Sequence, residues 1–170
     1  MCKLRYRNGA PRRPPRILIV GPPGSGKTEQ AKKVADTFGL VNISMKELLK
    51  NEMHVNPDMA DTISGYIEKG EPVPDNIVNS CLENRLKQPD CRVNGWVIEG
   101  FPENENQMNL LKAMRIKPML CFILEQHQEE CIRRLSYRRI DPQTGILYNC
   151  ETEPSRDEAV NARLICLKED

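Results

Sequence analysis

At 170 residues and a formal charge of +1, the chain can bury one domain's core, and it carries no overall charge footprint for nucleic acid or a membrane surface. No apolar run is long enough to span a bilayer, and no charged-then-apolar leader opens the chain. Seven cysteines without a C-x-x-C pair argue against a disulfide framework or a zinc site, so reduced thiols of a cytoplasmic protein are expected.

Residues 1–15 are basic and proline-rich. They are expected as an arm outside the folded domain, more simply solvated than bound to nucleic acid or a microtubule surface. Residues 16–20 form a short apolar strand. Gly21, Gly26, Lys27 and Thr28 then satisfy G-x-x-x-x-G-K-[ST], the phosphate-loop pattern. Gly24 and Gly26 permit the turns that aim backbone N–H groups at an anion, and the loop feeds a helix N-terminus that favours one. Lys27 can reach outer phosphates, and the Thr28 hydroxyl is placed for Mg²⁺. The following helix has Ala31, Val34, Ala35 and Phe38 on its core face and Gly39 as its C-cap.

Residues 40–43 are a second short strand. Ser44 caps a helix through residue 50, with Glu47 completing a capping box. Residues 57–69 form a helix with Met59, Ile63, Tyr66 and Ile67 on one side, ended by Gly70. Glu71-Pro72-Val73-Pro74 is a stiff connection, and Asp75 caps a helix whose core face is Val78, Cys81, Leu82 and Leu86. Residues 95–100 form a third strand ending in Glu99 and Gly100. A helix near Gln107 carries Leu110, Leu111 and Met114. Residues 119–124 are continuously apolar, as in a parallel-sheet strand covered on both faces, with Cys121 in the core. Residues 128–138 form a helix with Cys131, Ile132 and Leu135 inward. Residues 141–145 are turn chemistry, and a short helix lies near 157–164. Strands alternating with helices make the class α/β with a parallel sheet flanked by helices, whose ligand sites lie beyond the strand C-termini.

Phosphoryl transfer needs positioning and charge neutralisation more than covalent chemistry. Lys27 and the loop amides supply one half. Glu99, at a strand end, can orient Mg²⁺ or its waters; the plainer alternative is a surface carboxylate. Arg133, Arg134, Arg138 and Arg139 form two pairs one helical turn apart, so Arg134 and Arg138 are expected to approach one ligand from a shared face. The alternative there is an ordinary solvated basic helix.

These motifs, in this order, resemble the adenylate kinases and their nucleoside-monophosphate kinase relatives. GPPGSGKT is similar to the family's ATP loop, SMKELLK at 44–50 to its STGDLLR-like motif, and GEPVP at 70–74 to the segment before the next helix. EGFPENENQ at 99–107 is similar to DGFPR-x-x-x-Q, and RRIDPQTGILY at 138–148 to the start of the lid. The sub-pattern RIDPQTG, with QPDC and GW before the third strand, most resembles the ciliary, type-eight branch.

The resemblance implies a P-loop fold over 16–170, with a helical monophosphate-binding insertion at about 44–73 and a lid at about 139–170. It implies transfer of the γ-phosphoryl of ATP to AMP with Mg²⁺, and the lid's closure excludes water. ATP falls to Gly24, Ser25, Gly26, Lys27, Thr28, Glu29, Arg134 and Arg138. Lys27, Arg138 and Arg163 are catalytic, and Thr28 and Glu99 serve the metal, partly through water. The monophosphate falls to Ser44, Lys50, Glu71, Pro72, the Val73 backbone, Gly100, Glu103 and Gln107, the last reading adenine. A monomer is implied, without nucleic-acid or membrane partners. The branch implies axonemal or microtubule-associated partners in a cilium or flagellum.

Three positions depart from the family pattern. Glu103 stands where DGFPR has arginine, Lys50 replaces the arginine of STGDLLR, and Met45 replaces its threonine. The pattern also leads to the expectation that the family fold is cut short at its C-terminus. A degraded acceptor site would make the chain a nucleotide-binding structural or regulatory module instead. A phosphate-loop kinase of another small acceptor is the third alternative.

Overall fold

The computed structural model describes residues 14–166. The arm expected over 1–15 therefore lies, over 1–13, outside the described residues, as do 167–170. The chain forms two compact units, one of residues 14–21 and 26–124, the other of 22–25 and 125–166. No helix among the described residues is long and apolar enough to cross a membrane.

The first unit contains β1 (Arg16–Val20), α1 (Lys27–Phe38), β2 (Val41–Ser44), α2 (Met45–Val55), α3 (Pro57–Lys69) and α4 (Asp75–Leu86). It continues with α5 (Pro89–Asn94), β3 (Trp96–Glu99), α6 (Glu105–Ala113) and β4 (Leu120–Ile123). Its strands form a parallel sheet in the order β2-β3-β1-β4. Side chains alternate across the two central strands, and each face is buried. Leu18, Trp96 and Ile98 pack with Ile43, Met45, Val78, Leu82 and Phe101 on one side. Ile17, Ile19 and Val97 pack with Ala31, Ala35 and Leu40 on the other. The parallel α/β architecture is the one the sequence pattern implies.

Several local expectations are corrected. Pro15 belongs to the sheet rather than the arm, because its carbonyl accepts from Trp96 N at 2.9 Å. A Cβ on Gly95, whose φ is 81°, would lie 2.1 Å from that carbonyl oxygen, so the backbones approach there only over glycine. Phe38 and Ile67 are exposed rather than in the core. Ser44 occupies the N-cap of α2 without a side-chain cap bond, so the box with Glu47 does not form, and α2 runs on to Val55. Asp75 is the first residue of α4 rather than its cap. Helix α5, opened by Pro89 at its first turn, has no counterpart among the expected elements.

The largest correction concerns β4. It pairs with β1 in parallel as expected, but among the described residues it lies at the sheet edge. Phe122 and Ile123 are 45% and 69% exposed, and Cys121 is exposed too. A continuous apolar run cannot by itself distinguish a central strand from an edge strand. An open apolar edge without lysine or proline favours strand addition between chains. Phe122→Lys should therefore raise the concentration at which the chain begins to self-associate, leaving its Tm within about 3 °C; light scattering with a thermal melt checks this.

The second unit contains α7 (Gln128–Ser136), β5 (Arg138–Ile140), β6 (Leu147–Asn149), α8 (Glu158–Arg163) and β7 (Ile165–Cys166). Its strands form an antiparallel sheet ordered β6-β5-β7, which the turn-rich sequence did not announce. Helix α7 stops at Ser136, so Arg138 lies on a strand and the expected Arg134–Arg138 helical face does not exist. Ile132 is exposed, whereas Cys131 is buried as expected.

Candidate active site

In the first unit, register aligns the end of the phosphate-loop strand with the end of its neighbour β3 and with that of β2, one strand further on. Ile19 of β1 pairs with Glu99, which pairs in turn with Ser44. From β1 the chain crosses to β2 on one side, and from β3 it crosses to β4 on the other. The strand ends of β1 and β3 therefore flank the topological switch point where such sheets bind ligands. Gly21 and Gly100 follow those two ends directly.

Gly26, at φ 87°, turns the chain into α1, and its carbonyl accepts from Gln30 N at 3.0 Å. A left-handed residue costs glycine no steric strain, which lets the helix start immediately at Lys27. Lys27 Nζ donates to the Gly21 carbonyl at 2.7 Å, bridging the two ends of the loop. Thr28 is exposed in the first turn. Glu29, also in that turn, sits 3.5 Å from Lys33 in an exposed ion pair.

Glu99 is only 6% exposed at the end of β3, and no cation among the described residues pairs with it. A buried carboxylate at the end of β3 and a hydroxyl in the first turn of α1 are hard oxygen donors of the kind Mg²⁺ takes, so the chemistry of these residues fits the ion.

The expected acceptor residues lie on neighbouring segments of the same unit. Ser44 is buried, and Gly100, at φ 74°, would place a Cβ 3.7 Å from that of Met45. Lys50, Glu71, Pro72 and Glu103 are exposed, while Val73 packs against the core. Gln107 is buried and held at both ends of its amide. Its Oε1 accepts from Glu103 N at 2.8 Å, and its Nε2 donates to Asp75 Oδ1 at 2.7 Å. Asn104 caps α6 by accepting from Gln107 N at 2.9 Å. Neither Asp75 nor Asn104 figures among the expected site residues. The spacing Asn104-x-x-Gln107 carries a capping-box signal that could have found the second.

In the second unit the other part of the loop packs on α7. A Cβ on Gly24, at φ 78°, would lie 2.8 Å from the Cys131 carbonyl oxygen, so glycine is required on two counts. Ser25 Oγ donates to the Pro22 carbonyl at 2.8 Å. Arg134 Nη1 reaches the Gly24 carbonyl at 3.4 Å, while its Nε donates to Glu130 at 2.8 Å. Arg133 is occupied by Glu130 and Glu151. Its hydrogen bonds, followed by those of Arg134, pull the Glu130 carboxyl down to about 2. The basic helix face is thus largely an ion-pair network. Arg138 opens β5 opposite Asn149.

Arg163 makes a bidentate pair with the fully buried Asp141, with Nε and Nη2 each at 2.7 Å from a carboxylate oxygen. Gln143 N and Thr144 Oγ1 also donate to that carboxylate. Asp141 thereby fastens its turn to α8, a role that the turn chemistry of DPQTG did not reveal. Hydrogen bonds from Arg163, above all, hold the Asp141 carboxyl well below the usual range, against the effect of burial. A depressed folded-state value stabilises above the unfolded value of 3.8 and loses that contribution as pH falls below it. Asp141→Asn should lower the melting temperature on the order of 10 °C at pH 7, with a smaller gap below pH 3; circular-dichroism melts at the two pH values check both statements.

Comparison with known proteins is consistent with this arrangement. The adenylate kinase family model matches residues 19–170. "Adenylate kinase 8" of Rattus norvegicus is 40% identical over 151 residues, covering 89% of this chain and 32% of the rat protein. "Adenylate kinase 8" of Danio rerio is 39% identical over 88% of this chain and 31% of its own length. "Adenylate kinase, chloroplastic" of Zea mays is 33% identical over 89% of this chain and 68% of its own length. The chain thus spans about a third of the rat and zebrafish relatives.

Proposed function

The chain belongs to the adenylate kinase family, and on that premise we propose that it moves the γ-phosphoryl of MgATP to a nucleoside monophosphate, with AMP as acceptor. One observation carries the reading. The phosphate loop leaves a central strand at the switch point, beside the end of β3, which bears Glu99 and runs into Gly100, and one strand away from the end of β2, which bears Ser44. In this reading Lys27 and the loop amides take the phosphates of ATP, where fixed donors stabilise charge without reorganising. Thr28 and Glu99 hold Mg²⁺, the latter partly through water. When bound, the ion would supply neutralisation of phosphate charge. Ser44, Lys50, the Val73 backbone, Gly100 and Gln107 take the monophosphate, with Gln107 reading its base. Arg134, Arg138 and Arg163 complete the ATP side.

The test is coupled ADP formation from ATP with AMP, CMP, UMP or GMP. Turnover with AMP above the other acceptors supports the reading. MgATP binding without turnover on any acceptor supports instead a nucleotide-binding regulatory module, the reading that Glu103 favours. A monomeric state and an axonemal location belong to the same proposal. Sedimentation tests the first, and imaging of the tagged chain in ciliated cells tests the second.

A further inference from the structure

Asp75 and Gln107 are 32 residues apart in sequence and meet where α4 and α6 begin. Gln107 is 4% exposed, yet it is the third residue of α6, at the rim of the expected acceptor segment. Its Nε2 points to Asp75 Oδ1 at 2.7 Å and its Oε1 to the Glu103 N–H at 2.8 Å. Asn104 Nδ2 adds a second donor to Asp75 Oδ1 at 3.2 Å. An ionised carboxylate only accepts, and a backbone N–H only donates. Turning the Gln107 amide over would set oxygen against carboxylate and NH₂ against N–H. Its orientation therefore has one answer, independent of any choice between O and N. One amide hydrogen and one carbonyl lone pair are left for a ligand.

We propose that Asp75 is a positioning residue that sets the polarity of the Gln107 amide, and through it the choice of a 6-amino over a 6-oxo base in the acceptor monophosphate. The inference rests on the phosphotransfer reading above, in which Gln107 meets the base. A base tethered by its ribose phosphate has one pose. In that pose a 6-amino purine offers an amino donor beside a ring acceptor, and a 6-oxo purine offers the reverse order. An amide held one way round satisfies the first and leaves like facing like in the second. A site that pairs its hydrogen-bonding groups with one base rejects another that leaves them unmatched.

The experiment measures KM and kcat for AMP and inosine monophosphate on the full chain, alongside the Gln107 side-chain NH₂ resonances by nitrogen-15 NMR. Asp75→Asn, which can present a donor to a reversed amide, should lower the AMP-over-inosine-monophosphate preference about tenfold, through KM. Its kcat for AMP should stay within about twofold of the parent. The Gln107 NH₂ pair should move in Asp75→Asn, and Asp75→Glu, which keeps an acceptor, should recover most of the preference. An unchanged preference in Asp75→Asn overturns the proposal, as does an unmoved NH₂ pair. A parent chain that binds MgATP yet turns over neither monophosphate overturns the phosphotransfer reading and the base choice together. A parent that turns over both equally overturns the base choice alone.

Discussion

Lys27→Ala is expected to weaken MgATP binding on the order of a hundredfold while leaving the fold intact. Lys27 is the side-chain cation that follows Gly26, and its ammonium spans the loop to the Gly21 carbonyl at 2.7 Å. In the phosphotransfer reading, ATP phosphates take that ammonium over. A hydrogen bond to a charged group contributes roughly 1.5–3 kcal/mol, and one that pairs two opposite charges lies at the upper end. About 2.7 kcal/mol corresponds to a factor of roughly a hundred. The loop amides survive the substitution, so residual binding is expected. The Gly21 contact involves one partly buried side chain, so its loss should cost little stability. Isothermal titration with MgATP, paired with a thermal melt, measures both sides. Equal affinities would show that the Lys27 ammonium does not hold phosphate, and the role that the phosphotransfer reading gives it would fall.

Glu103→Arg is expected to raise kcat/KM for AMP at least tenfold and to leave ATP affinity unchanged. Glu103 is exposed and precedes α6, with its backbone N–H committed to Gln107. If AMP sits against this segment, its phosphate carries nearly two negative charges beside a third. Two unit charges about 5 Å apart at an effective dielectric near 20 interact by roughly 3 kcal/mol. Exchanging a repulsion for an attraction therefore reaches several kcal/mol at most. Exposure lets the carboxylate rotate away and lets solvent screen it, so about 1.4 kcal/mol, or tenfold, is the expected floor. Lys50, exposed on α2, offers one compact ammonium where two guanidinium forks would clamp a phosphate from two sides. Steady-state kinetics with AMP varied at saturating ATP tests this. An efficient parent whose turnover does not respond to Glu103→Arg would mean that another cation covers the phosphate. A parent and a variant that both bind MgATP and never turn over would favour the regulatory module.

Local chemistry and tertiary context divide the credit for this protein along a physical line. The phosphate loop was legible because its constraints are local. Gly24 and Gly26 occupy left-handed backbone positions, and Lys27 starts a helix directly after them. Helix α3 was legible to the residue, since Pro57 opens it and the left-handed Gly70 closes it. The central strands announced themselves by apolar runs that are buried on both faces. What sequence periodicity could not supply was position in the sheet. The run around Phe122 reads like β3, yet among the described residues it forms an edge strand, because burial depends on neighbours that the strand's own residues do not encode. Ending α7 at Ser136 likewise depended on β5 finding β6 and β7, pairings distant in sequence, and this removed the helical face that would have joined Arg134 to Arg138. Asp141 looked like a turn residue until Arg163, 22 residues away, closed on its buried carboxylate. Gln107 was visible as a residue, whereas the orientation of its amide was decided only when folding brought Asp75 to one side and the Glu103 N–H to the other. The left-handed turns of the phosphate loop and the two ends of α3 are set by neighbours within a few residues, and so the sequence determined them. The pairing of buried polar groups is set by partners tens of residues away, and so only the tertiary structure could decide it.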